Sequence, residues 1–179
     1  MTFTAVFAKG KVAKPKPVLP KVDNTKTKPK KETPKTHLNA IPMASTVLVN
    51  GVPTEFEAYT IDGNNYFKLR DLAYAVNNTE KNFEVGWDPE RNVINFISNT
   101  TYTLTIGELN RDNIRPAFAA PTASTIQKDG EPINLKAYKI YSNNFFKLRD
   151  IAEAFNIGVT WDGVTSTIGI DTSIDYVAP

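Results

Sequence analysis

The sequence predicts an α+β protein. It is read as two tandem small repeats, each an antiparallel β-sheet packed on one α-helix in the order β-β-(β)-α-β-β, preceded by a disordered basic tail. Three observations lead there. Residues 58–77 (AYTIDGNNYFKLRDLAYAVN) and 137–156 (AYKIYSNNFFKLRDIAEAFN) share 13 of 20 positions at a constant offset of 79. A helical period lies inside that repeat: Leu69, Leu72, Ala73 and Val76 fall at i, i+3, i+4 and i+7, and Leu148, Ile151, Ala152 and Phe155 repeat them. β-branched and aromatic runs bounded by turn dipeptides flank both helices.

The basic tail comes first. Residues 1–45 carry ten lysines against Asp23 and Glu32, a net charge of +8. Residues 46–179 carry 11 basic and 17 acidic side chains, a net charge of −6, so the overall +2 describes neither part. Residues 1–39 are read as a Lys/Pro-rich tail, because such a stretch buries too little apolar surface to offset its ordering entropy. Proline and like-charge repulsion extend it, which suits a spacer or an arm drawn to an anionic surface. The tail has no arginine and no interleaved aromatics, which argues against nucleic acid as a partner. Val6-Phe7-Ala8 has the small-x-small form of a signal-peptidase site. Residues 1–8 are therefore read as the end of a signal peptide starting upstream, with a short disordered N-terminus as the other reading.

The first repeat is placed at 40–102 and the second at 119–179, with its last matched residue at Tyr176 and a linker over 103–118. Thr46–Val49 is a β-branched run, and Asn50-Gly51 supplies the φ > 0 pair of a tight hairpin, matched by Asp129-Gly130. Thr54–Ile61 returns with alternation. Asp62-Gly63-Asn64-Asn65 turns into a short aromatic strand at Tyr66-Phe67, leading to the helix. Asp71 and Asp150 sit in the first helical turn, where the macrodipole favours an acid. Phe83–Trp87 with Val93–Ile97, and Gly158–Trp161 with Thr167–Ile170, close each unit. Units this small are marginal alone, so the copies are expected to pack on each other, or the linker to cover a sheet edge.

The Val-Asn-Gly turn, the Ala-Tyr-x-Ile step, Asn-Asn-Tyr-Phe-Lys-Leu-Arg-Asp-Leu-Ala and the Val-x-Trp-Asp strand resemble the copper amine oxidase N-terminal-like stalk domain family. The resemblance spans Ala40 to Tyr176 and departs at Tyr141-Ser142, where the first copy has Asp62-Gly63. It implies a tandem module from a secreted or cell-surface protein of a Gram-positive bacterium. It brings no copper or oxidase role, because copper ligation in amine oxidases is by histidines and the body has none. No cofactor is expected.

Chemistry is narrowly bounded. Cysteine is absent and the only histidine, His37, lies in the tail, which leaves no thiol nucleophile and no ordinary triad or zinc site in the body. Paired carboxylates such as Glu55/Glu57 or Asp150/Glu153 could serve a hydrolase only across a cleft. The expectation is thus not an enzyme but a stalk or binding module, touching an anionic cell-wall polymer or glycan or acting as a spacer. Docking to another surface protein is the alternative. No apolar run reaches the roughly 20 residues of a membrane helix.

Trp87 and Trp161 share a strand face with Val85 and Val159 and are expected in the core. Asn64-Asn65 and Asn143-Asn144 read as turn formers. Of Tyr66-Phe67 and Phe145-Phe146, one of each pair is expected inward and the other partly exposed. Lys68, Arg70 and Asp71 recur as Lys147, Arg149 and Asp150. Two readings stand for them: an Arg–Asp pair tying helix to strand ends, or a basic patch for an anionic glycan. Lys68, Arg70, Lys147 and Arg149, with Tyr66 and Phe145, are the candidate ligand-binding residues.

Overall fold

The computed structural model describes residues 1–2, 37–112 and 114–179. The disorder expected of the tail and the signal-peptide end expected at 1–8 fall on residues outside these, Met1, Thr2 and His37–Asn39 aside; Leu38 and Asn39, read as the end of the tail, are instead strand. The body belongs to one compact unit. In the first copy, strands β1 (Leu38–Pro42), β2 (Thr46–Val49), β3 (Val52–Pro53), β4 (Ala58–Ile61) and β5 (Asn64–Lys68) lead to helix α1 (Leu69–Ala75). Strands β6 (Phe83–Asp88) and β7 (Val93–Ser98) follow. The second copy repeats this with β8 (Ala117–Pro121), β9 (Thr125–Lys128), β10 (Glu131–Pro132), β11 (Ala137–Ile140), β12 (Asn143–Lys147), α2 (Leu148–Ala154), β13 (Gly158–Asp162) and β14 (Thr167–Asp171).

Local chemistry places the turns. Asn50-Gly51, Asp62-Gly63 and Asp129-Gly130 all take positive φ, as a two-residue type I′ hairpin requires. At the fourth site only Tyr141 does, so the turn without glycine differs in geometry. Pro53 and Pro132 end β3 and β10 after two residues, since proline has no N–H to extend the ladder.

The assembly corrects the expected fold class. The body is mostly β, and neither copy forms its own sheet on its own helix. Instead β1-β4-β5-β12-β11-β8 close a six-stranded antiparallel barrel, three strands from each copy. The remaining strands are exchanged. In one outer sheet β9 and β10 pair with β7 and β6, with β7 parallel to β9. In the other, β13 and β14 pair with β2 and β3, with β14 parallel to β2.

The physical reason is that strands this short leave unpaired edges in an isolated copy, and pairing β1 with β8, β5 with β12, β7 with β9 and β2 with β14 covers those edges with strands of the other copy. The strands that close the barrel, β1 and β8, begin in segments read from sequence as tail and linker. Their register, Leu38↔Ala119 and Ala40↔Ala117, joins the two copies at their starts.

The barrel explains why the aromatic strand buries both of its faces. Ala40, Tyr59, Ile61 and Tyr66 point inward together with Ala119, Tyr138, Ile140 and Phe145, their equivalents at offset 79. Tyr59 meets Phe145 edge-on at 5.2 Å and Tyr66 meets Tyr138 at 5.1 Å, one contact drawn twice. A barrel of so few strands is filled by such side chains and holds no lumen. The outward residues Phe67 and Phe146 enter a second core under the helices, with Leu69, Leu72, Phe83, Phe96, Leu148, Ile151 and Phe155. Phe83 stacks on Phe155 at 4.1 Å, so this core also runs across both copies.

Candidate functional site

Two clefts lie at the seams between the copies, and they are built alike. The first, about 380 Å³, is lined by Lys68, Leu69 and Arg70 from the start of α1, by Val85, Trp87 and Ile94 from β6 and β7, and by Ser142, Asn143 and Asn144 from the other copy. The second, about 140 Å³, is lined by Lys147, Leu148, Arg149, Val159, Trp161 and Ile168, with Gly63, Asn64 and Asn65 from the first copy. Each groove thus takes its Trp, its Arg and the Lys before the helix from one repeat and its adjacent Asn-Asn pair from the other. The β5·β12 register causes this: Lys68 pairs with Phe145, and Tyr66 with Lys147, so the Asn-Asn pair that opens each strand lies beside the opposite helix start.

The tryptophans overturn the expectation of burial. Val85 is in the core, but Trp87, two residues on, is 49% exposed, and Trp161 is 51% exposed. Strand alternation does put Val85 and Trp87 on one face. However, a seven-residue helix is only about 10 Å long, whereas a six-residue strand runs about 20 Å. Each helix ends before it covers the strand, and the indole at the strand's end walls a groove instead.

The candidate residues divide into three groups. Tyr66 and Phe145 are 1% and 0% exposed inside the barrel, so neither can touch a ligand and that reading is withdrawn. Lys68 is nearly buried. Its ammonium donates to the Gly107 carbonyl at 2.8 Å and lies 3.5 Å from Glu57 and 3.4 Å from Asp71. Asp71 accepts the Leu109 N–H at 3.0 Å and the Glu57 N–H at 3.2 Å. Burial pushes the Asp71 carboxyl up, opposed by the Leu109 N–H and by Lys68. Burial likewise raises Glu57, against the pull of Lys68.

This cluster pins the linker to α1, and its partners account for each charged group. The tie is therefore Lys–Asp, not the Arg–Asp pair expected. Arg70 instead donates to the Tyr102 hydroxyl at 3.3 Å. In the second copy Lys136 replaces Glu57, and Lys147 lies a looser 3.8 Å from Asp150. Arg149 has no hydrogen bond or ion pair among the described residues.

The asparagines, read from sequence as turn formers, instead open strands β5 and β12, Asn64 pairing with Ile61 and Asn143 with Ile140, and the turn reading hid them as groove residues. Asn144 Oδ1 accepts from Thr122 at 3.2 Å and Asn65 Oδ1 from Thr60 at 3.0 Å, which fixes each carboxamide with its amide nitrogen available. The signal was their exact repetition beside a repeated Trp. Glu55 is exposed, 3.8 Å from Arg111, while Glu57 is held by Lys68, so that pair faces no common cleft. Asp150 accepts the Lys136 N–H at 3.3 Å and Glu153 is exposed on the next helical turn. Among the described residues no cluster of His, Cys, Asp or Glu suits a metal ion, and no helix is long and apolar enough to cross a membrane.

An indole face, a cation and carboxamide donors in one open groove can stack on the apolar face of a sugar ring, bond its hydroxyls and neutralise an acidic substituent. No protein-family model, curated protein or solved structure matches the chain.

Proposed function

We propose that the body is a non-catalytic glycan-binding module of a secreted or cell-surface protein, which takes an anionic cell-wall glycan in its two grooves. The observation that carries this reading is the pair of half-exposed tryptophans, each beside an arginine and the other copy's asparagines. The basic tail adds a weak, salt-sensitive attraction to the same polymers, worth about 1 kcal/mol per lysine near an anionic surface. The likeness of the repeats to the stalk-domain family of Gram-positive surface proteins belongs to this proposal and agrees with an extracellular setting.

The test is retention on purified Gram-positive cell wall. The full chain and a chain lacking residues 1–36, which keeps all of β1, are both expected to bind, the second with less salt dependence. Trp87→Ala with Trp161→Ala in the same chain is expected to abolish retention of the tail-less protein while its thermal melt stays in place. Full retention by that double variant would refute the grooves as the site.

A further inference from the structure

The proposed grooves are not merely duplicated. They are related by a local twofold axis, and that symmetry restricts how a directional polymer can use them. In the β5·β12 ladder Phe67 pairs with Phe146, Lys68 with Phe145 and Tyr66 with Lys147. Exchanging each residue for its equivalent at offset 79 returns the same three pairs. The axis therefore passes through the Phe67–Phe146 pair. One groove floor lies at Leu69 and Asn144 and the other at Leu148 and Asn65, at opposite ends of the same two strands. Four residues of strand separate them, about 13 Å.

A polysaccharide has a reducing and a non-reducing end. A twofold axis across an antiparallel ladder reverses every direction in the plane of the sheet. A chain lying in the first groove in one sense lies in the second groove in the opposite sense. A single straight chain cannot satisfy both, and a stiff pyranose chain cannot turn back over so short a span.

Resting on the glycan-binding reading above, we propose that the protein is bivalent: it holds two separate strands of the same anionic glycan, one per groove and of opposite polarity, and so cross-bridges the polymer. The grooves are alike in plan but unequal in detail. The first has the larger volume and carries Lys139, whose equivalent in the first copy is Thr60, which is engaged with Asn65. The second is smaller and carries Arg149, whose side chain has no partner among the described residues. The two sites are accordingly of different strength, and the weaker one limits cross-bridging.

The test uses the full chain with two probes: a hexasaccharide fraction released by muramidase from Gram-positive cell wall, and the undigested soluble glycan. Calorimetry with the hexasaccharide is expected to give two sites per chain, falling to one in Trp87→Ala and in Trp161→Ala and to none in the double variant. Light scattering with the long glycan is expected to show large assemblies with the native chain. Either single variant is expected to bind it without assembling it. One site per chain, or loss of both sites from one substitution, overturns bivalency and leaves the glycan-binding reading standing. A stoichiometry unchanged in the double variant overturns it too. No binding to either probe by the folded native chain overturns both readings.

Discussion

Cutting the chain between Asn110 and Arg111 separates the two copies without deleting a residue of either. It leaves the Lys68–Gly107 and Asp71–Leu109 ties inside the first fragment. The loss to the second fragment can be worked from its rings. Tyr138, Phe145, Phe146 and Phe155 each pack on an aromatic of the first copy, namely Tyr66, Tyr59, Phe96 and Phe83. A buried aromatic removes about 150–250 Å² from water, and if half of each ring faces the other copy, roughly 400 Å² is exposed on separation. At about 25 cal/mol per Å² this is about 10 kcal/mol, comparable to the whole stability of an ordinary domain at about 5–15 kcal/mol. The separated copy also loses the partners of β8, β9, β12 and β14. Residues 111–179 alone are therefore expected to lack a cooperative thermal transition and to show collapsed amide dispersion by NMR. Mixing with residues 1–110 is expected to restore the native spectrum at one to one. A cooperative, well-dispersed 111–179 fragment on its own would refute the interleaved fold.

Other outcomes are expected of single side chains. Asp71→Asn leaves a backbone N–H facing an amide group in a fully buried site and is expected to cost about 1–3 kcal/mol by urea denaturation. Asp150→Asn, with one bond at 3.3 Å in a more open site, is expected to change the midpoint far less. Phe145→Ala, inside the barrel, is expected to cost about 3–5 kcal/mol. Glu57 gives a pH test. Its raised pKa means that the folded chain holds this proton more tightly than the unfolded chain just above the ordinary glutamate value. Its contribution to stability is thus fullest at low pH and declines as pH rises through that interval. The urea midpoint of the native chain relative to Glu57→Gln is expected to fall as pH rises above the ordinary glutamate value of about 4.3. A difference that grows with pH would reverse the sign and refute it.

Much of the local structure is legible in the sequence. The Asn50-Gly51 and Asp129-Gly130 turns, the helices from Leu69 and Leu148, and the closing hairpins at Phe83–Ser98 and Gly158–Asp171 stand where periodicity and turn chemistry place them, but the return strand expected over Thr54–Ile61 is Val52–Pro53 alone, and Ala58–Ile61 pairs in the barrel. These depend on neighbours a few residues away. The barrel does not. Ala40 and Ala119 are small residues in short unremarkable segments, and nothing in Leu38–Pro42 or Ala117–Pro121 announces that each pairs with the other. The parallel pairings of β7 with β9 and β14 with β2 are likewise long-range and invisible to a local window. The burial of Tyr66 together with Phe67 carries a trace of the answer, since a strand aromatic on both faces fits only between two cores. The exposure of Trp87 and Trp161 follows from helix length, which the apolar period at Leu69–Val76 already bounds.

The exchange of strands between copies has an evolutionary reading. A twofold-symmetric arrangement in which each half completes the other is what two identical single-repeat chains would form as a homodimer. Duplication and fusion through a segment such as 103–118 would tie such a dimer together and make its assembly independent of concentration. Fusion also frees the halves from identity. Residues constrained to suit both sides of a dimer become two independent positions: Glu57 and Lys136, Thr60 and Lys139, Gly86 and Thr160. Two grooves of unequal volume on one symmetric frame are the product expected once the two halves can change independently.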